Sequence, residues 1–141
     1  MPANFQEILD SFAFVSSNGG GYNEAFLCRQ TGKIHWRSAL LDPDEFDELP
    51  DDVEDETKYI AIPETQELGL GKPLALDFAR EFLRNDFDEV RYMFSKRGAY
   101  RKFRALITRR NALERWYDFE SKATERALRD WCELHSIAVT D

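Results

Sequence analysis

Apolar residues return at helical spacing within the first fifteen positions. Phe5, Ile8, Leu9 and Phe12 fall at i, i+3, i+4 and i+7, one face of a helix predicted from Asn4 to about Val15. Asn4 with Glu7 three residues on has the pattern of a capping box. The run Asn18-Gly19-Gly20-Gly21 is expected to stop this helix, because glycine accepts the left-handed backbone of a helix end. The period then changes. Tyr22 to Arg29 and Lys33 to Ser38 read as two strands around Gln30-Thr31-Gly32, a short glycine-bearing loop that signals a hairpin. Asp42, Pro43 and Glu45 take the cap, first-turn and box positions of a short helix that Pro50 ends. Lys58 to Ile62 is a third strand, stopped by Pro63.

Beyond Gly71 the pattern is helical. Leu74, Ala75, Phe78, Ala79, Phe82 and Leu83 share one face. Asp86 and Glu89 box the next helix, with Phe87, Val90, Met93 and Phe94 apolar and Gly98 as its stop. A further helix is expected from Ala99 to about Arg109, and a long last one from Ala112 to about His135, capped by Asn111 and Glu114. The fold class is therefore α+β. A small antiparallel three-stranded sheet with an N-terminal helix is followed by a C-terminal helical array. At 141 residues this reads as a single domain, 1–141, with dissimilar halves at 1–64 and 65–141.

A chain of this length buries about two-thirds of its surface on folding and needs neither disulfide nor metal to hold together. No run approaches the roughly 18–20 apolar residues of a membrane span, and no basic region precedes an apolar run at Met1 to Asp10. No membrane association and a cytoplasmic location are expected. Cys28 and Cys132 lie far apart and outside any C-x-x-C, so no disulfide framework is expected.

Charge changes the picture most. The chain has 19 Lys and Arg against 27 Asp and Glu, net −8, which taken whole opposes a polyanion partner. The charge is not evenly spread. Residues 1–90 carry net −13 and residues 91–141 net +5. Asp42 to Glu56 holds ten acids in fifteen residues and no base. Lys96 to Arg110 holds seven bases in fifteen and no acid: Lys96, Arg97, Arg101, Lys102, Arg104, Arg109 and Arg110. Such asymmetry suggests a field that steers partners, or two poles that satisfy each other.

Advancing about 100° per residue from Ala99 puts Tyr100, Phe103, Leu106 and Ile107 on one side of the helix. Arg101, Lys102 and Arg109 fall opposite, with Arg104 at the border. This face reads as a solvated surface, as a phosphate-binding face, or as a dock for the acidic segment or another subunit. Spaced cations would neutralise several phosphates with salt-sensitive affinity. With Tyr100 and Phe103 facing inward, base stacking on them is not expected. The acidic segment reads as a solvated loop with one helical turn, or as a contact for a basic protein. A calcium loop is set aside, because Phe46 and Asp47 occupy positions where an oxygen ligand and a glycine are needed. The glycine run is likewise set aside as a phosphate cradle, since no Lys-Ser/Thr follows and no strand precedes it.

Few residues suggest catalysis. His35 beside Trp36 reads as an edge-strand residue, and His135 at a helix end suits the helix dipole. No spacing of His or Cys supports zinc, and no catalytic, cofactor-binding or metal residue is assigned. Cys132 beside Trp131 reads as a packing residue. Glu120 is the exception. Leu113, Trp116, Tyr117, Ala127, Trp131 and Leu134 form an apolar stripe on the last helix, and Glu120 projects into its middle. A buried carboxylate needs a partner, and an Arg of the basic helix is the expected one.

Several runs occur together in one order. They are Thr31-Gly32-Lys33, Tyr59-Ile60-Ala61-Ile62-Pro63-Glu64, Arg97-Gly98-Ala99-Tyr100-Arg101-Lys102-Phe103, and Trp116-Tyr117-Asp118-Phe119 with a later Trp131. Over roughly residues 22–137 the chain resembles the uncharacterised bacterial protein family of the UPF series (UPF-0158). The run from Arg97 to Phe103 is the most specific part, and Cys28 departs from the acidic residue of that pattern. The resemblance implies a small cytoplasmic bacterial protein and brings no activity. The function expected first is non-enzymatic binding of a polyanion, nucleic acid and RNA foremost, on the basic helix face. A protein-interaction or regulatory module using residues 42–56 is second, and an enzyme of unknown type third. An acidic protein at the basic face is a further possible partner, no cofactor is expected, and the oligomeric state is open.

Overall fold

Asn4 is extended, and its side-chain oxygen accepts the Glu7 N–H at 3.0 Å. That bond satisfies one of the N–H groups a helix start leaves unpaired. In the computed structural model, which describes residues 2–17, 20–46 and 48–141, the elements run as follows. They are β1 (Ala3–Asn4), α1 (Phe5–Ser16), β2 (Asn23–Cys28), β3 (Ile34–Ser38), β4 (Tyr59–Ala61), α2 (Lys72–Phe82), α3 (Phe87–Met93), α4 (Ala99–Arg109), α5 (Leu113–Leu134) and β5 (Val139–Thr140). The class is α+β, as the period of the apolar positions implies. Among the described residues no helix is long and apolar enough to cross a membrane.

The chain forms two compact units, residues 1–68 with 127–141, and residues 69–126. The first carries net −13 and the second net +5, the same totals as the sequence split at residue 90. The segments exchanged between the two divisions, 69–90 and 127–141, each carry net −2.

In the first unit β2 is the central strand of an antiparallel sheet ordered β3-β2-β4. Phe26 pairs with His35 on one side and Ala61 on the other. Ala25 and Leu27 are buried, and so are Ile8, Phe12 and Val15 of α1, which packs on β2. The indole N–H of Trp36 donates to Ser11 Oγ at 2.9 Å, and Phe14 stacks on Trp36 with centroids 4.2 Å apart. A second, parallel pair joins β1 to β5, tying the chain ends together. No apolar alternation announces strands of two residues.

The end of α1 is made differently from the sequence expectation. Ser17 turns extended and its hydroxyl donates to the Phe14 carbonyl at 2.7 Å. Asn18 and Gly19 lie outside the described residues. Gly20 and Gly21 have positive φ, and the Gly21 N–H donates to the Glu64 carboxylate at 2.9 Å. A Cβ at Gly20 would sit 2.8 Å from that carboxylate. The glycines thus make room for an acid of the chain itself.

The second unit is built on Phe78, which has no exposed surface. Its ring meets Phe82, Phe103, Trp116 and Phe119 at centroid distances of 5.0–6.4 Å. Leu74, Ala75, Ala79, Val90, Met93, Leu106 and Ile107 are buried in the same unit.

Three caps differ from expectation. Asp86 has φ −105° and ψ 2°, not the extended geometry of a cap, and makes no cap bond to α3. Gly98 does not stop α3, which ends at Met93; it precedes α4 in the left-handed region, φ 72°. Asn111, φ 57°, finishes α4 rather than capping α5. Its N–H donates to Thr108 O at 3.1 Å and the Ala112 N–H to Ile107 O at 2.7 Å. Those are the two bonds of a Schellman helix end.

Candidate nucleic-acid interface

Helix α4 separates its two faces sharply. Phe103, Leu106 and Ile107 are fully buried, while Arg101, Lys102, Arg104 and Arg109 are exposed. Tyr100 departs from the sequence expectation: it is 52% exposed. It sits in the first turn, roughly 65° from the centre of the three buried positions at 100° per residue. Its ring leans on Phe94 at 5.1 Å, edge to face.

The seven cations of Lys96 to Arg110 are not equally available. Arg110 binds Asp86 with two bonds, 2.9 and 3.0 Å, and is half-exposed. The guanidinium holds the Asp86 carboxyl below its usual range, chiefly through these hydrogen bonds. Arg104 donates to the Tyr117 hydroxyl and lies 5.7 Å from that ring centroid. The Lys96 ammonium lies 5.8 Å from the Tyr92 centroid. Among the described residues, Arg97, Arg101, Lys102 and Arg109 have no carboxylate within ion-pair distance. These four form the part of the face without ion pairs, although the charge of Arg109 adds to the lowering of the Asp86 carboxyl.

Glu120 is half-buried on α5, on the line of apolar residues where the sequence puts it. Burial pushes its carboxyl above the usual range, and the positive charge of Arg104 opposes that only in part. The charge of Arg104 acts on Glu120, but the hydrogen bond of that guanidinium goes to Tyr117. Burial raises the Tyr100 phenol too, with the charge of Glu120 adding to it. On the same helix Tyr117 is 44% exposed and Leu134 is exposed, against the expected stripe. Leu128 and Cys132 are buried instead. The covered line follows buried 116, 128 and 131–132 with half-buried 120 and 124 between them, and Tyr117 and Leu134 stand off it.

The acidic segment finds cations in its own unit. Lys58 binds Asp52 at 2.9 Å, and Arg37 approaches Glu54 at 3.8 Å. The Asp42 and Asp55 carboxylates accept from the N–H groups of Asp44 and Thr57. Asp47 lies outside the described residues. A one-turn 3-10 helix, Pro43–Glu45, stands where the short helix is expected, and it ends well before Pro50.

The remaining candidates separate. His35 is on edge strand β3, with Tyr59 edge-on at 6.1 Å, and lines a cavity of about 260 Å³ with Glu45 and Phe46. His135 stacks obliquely on Trp131, and its carbonyl accepts from Arg29. Both cysteines are free thiols. Burial pushes the Cys132 thiol up. Burial also opposes ionisation of Cys28, but hydrogen bonds from Thr31 and the Gln30 backbone outweigh it and lower that thiol.

Sequence reading missed the exposed tyrosines. Spacing offered one signal, Tyr92 four residues before Lys96, which places ring and ammonium on one side of the turn. The fold and site together define an α+β protein with a free cationic helix face edged by aromatic rings. No protein-family model matches this chain, and neither a curated protein nor a solved structure matches it.

Proposed function

We propose that this chain is a non-enzymatic polyanion-binding protein that holds nucleic acid, RNA foremost, on the exposed face of α4. The observation that supports this is the freedom from ion pairs of Arg101, Lys102 and Arg109 on the exposed side of α4, with exposed Arg97 just before the helix begins. Cations not neutralised internally gain most from meeting phosphates, because the counterions of the nucleic acid are then released. The second unit as a whole is positive, so its field favours the same partner. Binding of labelled RNA is measured by fluorescence anisotropy at about 50 mM salt, where phosphate contacts are strongest. Absence of binding there removes the proposal. Charge reversal at Arg101, Lys102 and Arg109 is expected to weaken binding uniformly across sequences.

The resemblance to the UPF-0158 family is a proposal on the same footing, resting on its motifs, and adds no activity. A second reading gives the acidic segment a basic protein partner. It is favoured by Asp44, Glu45, Glu48 and Asp51, which are exposed and without an ion pair among the described residues. A pulldown with these four changed to Ser or Asn decides it; an unchanged partner set removes it.

A further inference from the structure

We infer that the nucleic acid held on this unit is single-stranded, with unpaired bases stacking on Tyr100 and Tyr117 while the cations of α4 take the phosphates. The inference rests on the polyanion reading above and narrows its substrate. Three of the chain's five tyrosines stand exposed in the second unit: Tyr92 at 65%, Tyr100 at 52% and Tyr117 at 44%. Two of them have a cation at hand. Lys96 lies over Tyr92 and Arg104 over Tyr117. Tyr100 shares α4 with Arg104, one turn further along the same side of the helix.

The two rings on α4 and α5 are held in place. Phe94 meets Tyr100 edge-on at 5.1 Å and 88°. The Tyr100 hydroxyl lies 3.1 Å from where a Cβ at Gly71 would be, so glycine there gives the phenol its space. Tyr117 is fixed by the hydrogen bond from Arg104 to its hydroxyl. A fixed, half-exposed ring loses little freedom when a base stacks on it.

The alternation of ring and cation is what discriminates between polyanions. A single strand offers a free base face and a phosphate in every nucleotide. A duplex keeps its base faces stacked inside and would use the cations alone. An acidic protein would likewise leave the rings without a planar partner.

The experiment uses the full chain at about 50 mM salt and fluorescence anisotropy. Its probes are a mixed-sequence single-stranded RNA, the duplex of the same length, an abasic strand of the same length, and polyglutamate. The duplex carries twice the phosphates, so charge by itself favours the duplex. The single strand is expected to bind at least about tenfold tighter than the other three, given the 5- to 150-fold contribution of a stacked base. Tyr100→Ala and Tyr117→Ala are each expected to weaken the single strand by about 5- to 150-fold; Tyr100→Ala leaves duplex and abasic binding unchanged, and Tyr117→Ala, which releases Arg104, does not weaken them. Tyr100→Phe keeps the ring and is expected to bind as the parent does, which separates stacking from a folding defect.

Duplex or abasic binding equal to that of the single strand overturns the inference. So does polyglutamate binding of equal strength, or an equal loss across all probes in the alanine variants. In those cases the polyanion reading survives wherever charge reversal on α4 still weakens binding. If no nucleic acid binds, that reading falls and the inference falls with it.

Discussion

Raising salt should weaken RNA binding by an amount set by the free cations rather than by the whole basic run. Seven bases occupy Lys96 to Arg110, but Arg110 is engaged by Asp86, Arg104 by Tyr117 and Lys96 by Tyr92. Four remain: Arg97, Arg101, Lys102 and Arg109. Each phosphate neutralised on a single strand contributes about −0.7 to the slope of log affinity against log salt, so four give about −3 and seven about −5. Between 50 and 200 mM salt the four-cation face then loses about 50-fold in affinity, and a seven-cation face about 1,000-fold. Changing Arg101 and Lys102 together to Gln halves the free set. The slope should fall to about −1.4 and the loss over the same range to about sevenfold. Anisotropy titrations at four salt concentrations read these slopes directly. A slope shallower than about −1 in the parent refutes phosphate contacts on this face. A slope near −5 refutes the division into free and engaged cations. An unchanged slope in the double variant places the contacts elsewhere.

Further expectations concern the groups around this face. Phe78→Ala removes the fully buried hub of the second unit and should cost about 3–5 kcal/mol in urea unfolding; a loss below about 1 kcal/mol would contradict the aromatic packing described above. Glu120 has its carboxyl raised by burial, so its ionised form is the unfavourable one and the cost grows as pH rises through the folded-state value. Glu120→Gln should therefore stabilise at pH 7 by no more than about 1 kcal/mol and lose this advantage below the ordinary Glu range. Equal stability of the two proteins at both pH values would contradict it. Asp86 has the opposite sign: its carboxyl is lowered by Arg110, so its contribution is full above the ordinary Asp range and is lost as pH falls through the lower folded-state value. The stability gap between the parent and Asp86→Asn should narrow from pH 7 to pH 3 in urea titrations, and a constant gap would sink the assignment.

The caps show how local and tertiary information divide. Asn4 and Glu7 make their bond within three residues of each other, so their pattern is legible in the chain. Asp86 and Glu89 present the same spacing, yet Asp86 turns to Arg110, twenty-four residues away. A bidentate guanidinium competes successfully with a backbone N–H for one carboxylate, and no window of sequence contains both partners. Asn111 follows the same logic. Its type fits a cap at either end of a helix, and only the junction with α4 decides which carbonyls it satisfies.

The α+β class, the hairpin, the extents of α2 and α4 to within a few residues, and the charge poles are legible in the chain alone. These follow from periods of two and 3.6 residues and from glycine, proline and cap residues close in the chain. The bases of Lys96 to Arg110 were legible as a face for the same reason. The packing of distant segments settled that Arg110 and Arg104 are engaged, because Asp86 and Tyr117 come from other parts of the chain. It also decided that Tyr100 meets water. A helical wheel places a residue near the edge of a buried arc, but whether that edge is covered depends on the neighbouring helices, which no period records.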